Sequence, residues 1–176
     1  SNILLPYNNY HRENLIKENI HPSKIFVTGN TTFEVMRHFM PKIENSSILK
    51  TLNLTSKNYI LATAHRSENV DNPHFLKIIM DSLGDIAQKF SCEVVYPMHP
   101  RTQSKIDLND ALKGVRIINP LGFYDFSHLL KEALCVISDS GTAAEEGIFY
   151  KVPNVSLRMA TERPETVESG STIISG

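Results

Sequence analysis

The sequence has little cysteine, no long apolar run and no excess of either charge, and each shortage narrows what it can be. Two cysteines among 176 residues, Cys92 and Cys135, cannot staple a disulfide framework. Both fall in or beside apolar stretches that read as buried strands, so both are expected to be reduced packing residues, and no Cys/His spacing suggests a metal site. Eighteen Lys and Arg against 19 Asp and Glu leave a formal net charge of −1, without the broad basic field that nucleic acid attracts. No apolar stretch approaches the roughly 20 residues of a membrane-spanning helix, and no charged stretch followed by an apolar one opens the sequence as a secretory leader would. Asn-x-Ser/Thr triplets at Asn30, Asn45, Asn53 and Asn154 would matter only in a secreted chain and read as chance. The expectation is a cytoplasmic α/β domain with one well-buried core.

What the sequence does have is alternation. Residues 24–28 (KIFVT), 59–63 (YILAT), 93–96, 116–118, 135–137, 154–157 and 172–174 read as short strands. Helices are expected over residues 12–18, 31–39 and 72–90, the last with a sheet-packing face of Phe75, Ile78, Ile79, Leu83 and Ile86. Residues 44–56, polar and rich in Ser and Asn, read as a surface loop. Short apolar strands separated by helices predict a Rossmann-like, doubly wound parallel sheet. Residues 1–22 read as an interdomain segment arriving from elsewhere and residues 23–176 as the domain itself.

Ligands of such sheets sit beyond the carboxyl ends of the strands. The polar residues expected there are His65 and Arg66, His99 and Arg101, Ser140 and Gly141, and Arg158. Residues 139–146, Asp-Ser-Gly-Thr-Ala-Ala-Glu-Glu, are the most informative of these. A strand that ends in Ser-Gly and opens a helix aims unpaired backbone N–H groups and the positive end of the helix dipole at one spot, which suits a phosphate. Glu146 stands where a carboxylate could accept from a sugar diol, and Arg163 brings a guanidinium just ahead of a later helix. Read one at a time, these residues have plainer uses. His65 could cap backbone groups, Phe126 could be core beside Leu129 and Leu130, Glu145 and Glu146 could offset the helix dipole, and Arg163 could be a surface ion-pair residue. His74 and His128 read as ordinary helix-face residues.

Four signatures in order change that balance: residues 26–31 (FVTGNT), 63–69 (TAHRSEN), 139–146 (DSGTAAEE) and 161–165 (TERPE). Together they resemble the non-hydrolysing UDP-N-acetylglucosamine 2-epimerases, over essentially the whole chain but matching only that family's carboxyl-terminal domain. The resemblance implies the C-terminal half of a glycosyltransferase-B-like two-domain fold. It also implies an isomerase acting by UDP elimination and re-addition with inversion at C2, with no cofactor, supplying bacterial surface polysaccharide precursors. It assigns His65 as catalytic, and Ser140, Gly141 and Thr142 to the phosphates. Glu146 falls to the ribose hydroxyls, Phe126 and Leu121 to uracil, and Arg163 to the diphosphate. Arg66 and His99 would contact a second, activating nucleotide sugar. The implied partners are UDP, a UDP-N-acetylhexosamine, an amino-terminal domain bearing the proton-transfer carboxylates, and a second copy in a homodimer. The 176 residues alone are expected to be inactive. The usual turn in that family is Ser-Gly-Gly followed by Ile-Gln-Glu-Glu, whereas this chain has Ser-Gly-Thr-Ala-Ala-Glu-Glu. With residues 120–126 (PLGFYDF), that looks more like a branch acting on UDP-N-acetyl-L-talosamine-type deoxysugars. A glycosyltransferase-B sugar transferase using the same UDP cradle is the other alternative.

Overall fold

The structure, a computed structural model, describes residues 2–106, 113–161 and 163–175, with Arg101 described by its backbone alone. The chain forms two compact units, Ser1–Met40 and Pro41–Gly176.

In the first unit, helix α1 (Asn9–Lys17) is capped by Asn8, whose side chain accepts from the His11 N–H at 2.9 Å. This is the short helix expected over 12–18, begun earlier by its cap. The strand expected over residues 24–28 does not join a sheet. A 3₁₀ turn takes Pro22–Lys24, and the following residues run beside Leu4 with one parallel bridge, Leu4 to Ile25. Phe26 and Val27 are correspondingly exposed. An apolar run alone does not make a strand when only a short partner lies beside it. Helix α2 (Thr31–Glu44) begins here and ends in the second unit, continuing past the expected stop at Phe39 with Pro41 inside it.

The second unit is built on six parallel strands: β1 (Tyr59–Thr63), β2 (Glu93–Pro97), β3 (Val115–Ile118), β4 (Cys135–Ser138), β5 (Asn154–Ser156) and β6 (Thr172–Ile174), with the short helices α4 (Ser67–Val70) after β1 and α6 (Pro100–Gln103) after β2. Their order is β3-β2-β1-β4-β5-β6, the doubly wound arrangement whose order reverses between β1 and β4. That register pairs Thr63 with Ser138 at the carboxyl ends. Alternate residues of β1 serve opposite faces, as a pleated strand requires. Ile60 and Ala62 join Val94, Tyr96, Ile137 and helix α5 (Pro73–Phe90) on one face. Tyr59 and Leu61 join Val95, Val136 and helix α7 (Phe123–Glu132), through Leu129 and Leu130, on the other. Both faces are covered, so the middle residues of the central strands β1, β2 and β4 are apolar.

Helix α5 has the predicted length, and its predicted face holds at Ile79, Leu83 and Ile86 but not at Phe75 and Ile78. Its buried residues are Leu76, Met80, Leu83, Gly84 and Ala87, with Ile79 and Ile86 at the margin. Phe75 and Ile78 are 50% and 48% exposed. Small residues set the contact: Ala87 lies so close to Gly114 that a Cβ built there would stand 2.7 Å from the Ala87 Cβ. Periodicity weighted by size underrates the side that carries Gly84 and Ala87, which turns the expected face toward Phe75 and Ile78. The stretch expected to be a loop, residues 44–56, holds helix α3 (Ile48–Thr51) with Ile48 buried. Ser46 Oγ ties it to Asp125 at 2.5 Å. His128 Nδ1 lies 2.6 Å from the Ile43 carbonyl oxygen, which makes it a tether and not a plain helix-face residue. Cys92 and Cys135 are free thiols, the first buried and the second partly so, and burial pushes both thiols up. Among the described residues no helix is long and apolar enough to cross a membrane.

Candidate functional site

At the switch point the ends of β1 and β4 are fastened to each other by Asp139. Its side chain is wholly buried. Its Oδ2 accepts the backbone N–H of His65 at 3.0 Å and of Arg66 at 2.9 Å, and the side-chain amide of Asn69 at 3.1 Å. The same Asn69 amide group also donates to the Leu157 carbonyl beyond β5, at 3.0 Å. These donors offset the cost of burying an ionised carboxylate. From the other side, the buried Tyr96 hydroxyl accepts the Ala64 N–H at 3.1 Å and donates to the Ala64 carbonyl at 2.7 Å. Thr102 Oγ1 donates to that carbonyl as well, at 3.2 Å. His65 is thus delivered on a backbone clamped from both neighbouring strands. Its ring Nδ1 lies 3.5 Å from Asp139 Oδ1 while the side chain stays 48% exposed.

Helix α8 (Gly141–Tyr150) follows β4 directly, with Ser140 as its N-cap. Ser140 Oγ accepts from the Ala143 N–H at 3.4 Å, and the Ser140 N–H donates to Ser138 Oγ at 2.9 Å. The first-turn amides of α8 therefore face the space beyond the strand ends, as an anion site requires. Arg163, N-cap of helix α9 (Pro164–Glu168), reaches the same place. Its Nε donates to Glu145 Oε1 at 2.6 Å, and a Cβ on Gly141 would lie 2.6 Å from its Nη1. Glu162 of that signature lies outside the described residues. Glu146, one residue beyond Glu145, is only 6% exposed. Its Oε2 is buried without a hydrogen-bond partner. Burial first, and the Glu145 charge second, push its carboxyl up to about 7.

A cavity of about 220 Å³ opens beside this turn, lined by Thr63, His65, Pro97, His99, Pro120, Leu121 and Phe126. Phe126, on α7, lines this cavity and also packs against the core cluster of that face. The predicted residues thus gather in two adjoining sets. His65, His99, Leu121 and Phe126 line the cavity, while Ser140, Gly141, Thr142, Glu146 and Arg163 sit on or over α8. Arg66 is not among the cavity-lining residues, and its Nη1 lies 3.7 Å from Glu68 Oε1.

Asp139 and Asn69 stand in the sequence signatures without a role, and Glu145 only as a charge that could offset the helix dipole. A carboxylate straight after four strand residues, before a Ser-Gly turn, was the signal that something must supply it with donors. Chemically the assembly offers helix N–H groups, a hydroxyl, an imidazole and a guanidinium to an anion, with a flat apolar cavity alongside. Preorganised donors of this kind stabilise negative charge as it forms on a leaving group. Among the described residues no group of three or more His, Cys, Asp or Glu is arranged to hold a metal ion.

Known proteins share this fold. A UDP-N-acetylglucosamine 2-epimerase of Methanocaldococcus jannaschii is 37% identical over 174 residues, which cover 94% of this chain and 48% of that protein. The crystal structure of Methanocaldococcus jannaschii UDP-GlcNAc 2-epimerase in complex with UDP-GlcNAc and UDP matches with a TM-score of 0.91 at 34% identity, over 100% of this chain and 51% of that one. UDP-GlcNAc 2-epimerase from Neisseria meningitidis bound to UDP-GlcNAc gives 0.84 at 29% identity, over 100% and 50%. The chain spans about half the length of the relatives it matches. The family described as UDP-N-acetylglucosamine 2-epimerase matches residues 1–176 throughout, and the chain belongs to that family.

Proposed function

We propose that this chain is the nucleotide-sugar-binding half of a UDP-N-acetylglucosamine 2-epimerase, which interconverts UDP-GlcNAc and UDP-ManNAc by eliminating UDP and adding it back. The observation that carries the reading is the family match over every residue, joined to a switch point where His65, Ser140 and Arg163 surround one helix N-terminus. Breaking the anomeric C–O bond builds negative charge on the diphosphate. The α8 amides, the Ser140 hydroxyl, Arg163 and the catalytic His65 receive that charge, and losing one such donor costs about 3–4 kcal/mol of barrier. Gly141 and Thr142 lie along the phosphates, Glu146 accepts from the ribose hydroxyls, and Leu121 and Phe126 hold uracil in the cavity. His99 and Arg66 serve a second nucleotide sugar.

The acid and base for C2 come from the other domain of the intact enzyme, and residues 1–22 lead from that domain into this one. The intact enzyme is a cytoplasmic homodimer feeding bacterial surface polysaccharide synthesis. Relatives named for N-acetylglucosamine favour that substrate over a talosamine-type sugar or a transfer reaction.

Calorimetric titration of the chain with UDP tests the site. Ser140→Ala and Glu146→Ala should each weaken binding, and unchanged affinity in both removes these residues from it. Turnover belongs to the intact protein, which given UDP-GlcNAc in deuterium oxide should wash deuterium into C2. Turnover by the isolated chain would refute the division of labour.

A further inference from the structure

Glu145 and Glu146 are neighbours in one helix, yet the structure treats them in opposite ways. Glu146 is buried with Oε2 unpartnered, whereas Glu145, 3% exposed at its side chain, holds Arg163 at 2.6 Å. Gly141 lies four residues before Glu145, so the two share a face of α8 one turn apart. The guanidinium spans that face: Nε is on Glu145, and Nη1 and Cζ would stand 2.6 and 2.9 Å from any Cβ at position 141. At its other end the arginine is anchored by α9. Its N–H donates to Thr161 Oγ1 at 3.1 Å, and its carbonyl accepts from the Thr166 N–H at 3.0 Å and from Thr166 Oγ1 at 2.9 Å.

A cation at a helix N-terminus opposes the dipole. The buried Glu145 carboxylate, 2.6 Å from the Arg163 Nε, compensates that charge. Gly141 is not at positive φ, so what it supplies is space. We propose that Glu145 is a positioning residue that holds Arg163 across the opening of α8, and that Gly141 is the vacancy the guanidinium requires, so that both act on the diphosphate through Arg163. The inference deepens the nucleotide reading above and rests on it. It also divides the paired glutamates: one orients the arginine, and the other is left to face the ligand.

The test is calorimetric titration of the 176-residue chain with UDP and with uridine, for the unsubstituted chain, Glu145→Ala, Glu145→Gln, Gly141→Ala, Arg163→Ala and the Glu145→Ala/Arg163→Ala pair. Charge-assisted contacts of this kind place the expected loss for Glu145→Ala at roughly tenfold or more in UDP affinity. Gly141→Ala, which keeps every charge, should lose a similar factor. Glu145→Gln, which keeps an acceptor for Nε, should recover part of it. Uridine affinity should be unchanged in all of them, which also reports that each variant is folded. Because Glu145 works through Arg163, the double variant should bind UDP no worse than Arg163→Ala alone. Additive losses, or equal losses for UDP and uridine, overturn the positioning role while leaving the nucleotide site standing. An unsubstituted chain that takes up neither UDP nor uridine overturns the nucleotide reading and this inference with it.

Discussion

The Asp139 carboxylate accepts the backbone N–H of His65 at 3.0 Å across the switch point of the sheet. The bond joins two strand ends that are 74 residues apart in sequence, and it orients the histidine through its main chain and not only through its ring. Truncation by Asp139→Ala strands the His65 and Arg66 N–H groups and removes an acceptor from Asn69. The expected cost is about 3 kcal/mol in urea unfolding. Asp139→Asn keeps one oxygen and should cost roughly half as much. Equal stability of Asp139→Ala and the parent would show that water replaces the carboxylate freely.

Glu146 predicts a stability that depends on pH. Its carboxyl is pushed up to about 7 in the folded chain from 4.5, so folding favours the protonated form. The sign follows from linkage: stability is greatest below about pH 4.5 and is lost progressively as pH rises through 7. The loss is on the order of 3 kcal/mol. Glu146→Gln, which cannot ionise, should flatten this part of the profile and raise the Tm at pH 8 above that of the parent. Thermal unfolding of both at pH 5 and pH 8 reads the difference. If Glu146 accepts from a ribose diol, UDP affinity should run the other way in the parent and strengthen as pH rises through 7.

Ser140 separates a structural role from a binding role. Its cap to Ala143 is long at 3.4 Å, so Ser140→Ala should cost no more than about 1 kcal/mol of stability. The same change should weaken UDP binding by roughly tenfold or more if the hydroxyl touches phosphate. Denaturation and titration of one preparation measure both. A large stability loss with unchanged affinity would make the residue a cap alone.

Gly114 carries a prediction about the fold. It has φ +84°, and an added Cβ would meet the Ala87 Cβ at 2.7 Å. Gly114→Ala should therefore cost about 2–3 kcal/mol, part conformational and part steric. Measured against Ala87→Gly, which by itself costs about 1 kcal/mol as a glycine inside α5, the pair should lose only the roughly 1–2 kcal/mol of the left-handed backbone. Full recovery in the pair would place the whole effect in the clash.

Which parts were legible follows from the range of the forces. The strands β1, β2 and β4 and the length of α5 are written as local apolar runs and caps, and they could be read directly. The run at residues 24–28 has the same look, yet pairing with a short segment at Leu4 leaves it outside the sheet. The buried face of α5 includes the expected Ile79, Leu83 and Ile86 but is turned away from Phe75 and Ile78, toward Gly84 and Ala87, which pack by being small. The four signatures marked His65, Ser140 and Arg163, but no local pattern tells that Glu145 rather than Glu146 meets the arginine. That choice depends on where α9 sets down Arg163, 18 residues away in sequence.

Local sequence sets most of the element types, the polar residues waiting at strand ends and the Ser-Gly turn, because dihedral preference, periodicity and capping act within a few residues. Tertiary structure alone decided the strand order, the rotation of α5 and the Asp139 fastening, and it split the two glutamates into a held one and an unpaired one. Those outcomes turn on which buried groups find partners across the sheet. Desolvation makes an unmatched polar group costly, and a linear chain does not reveal its distant partners.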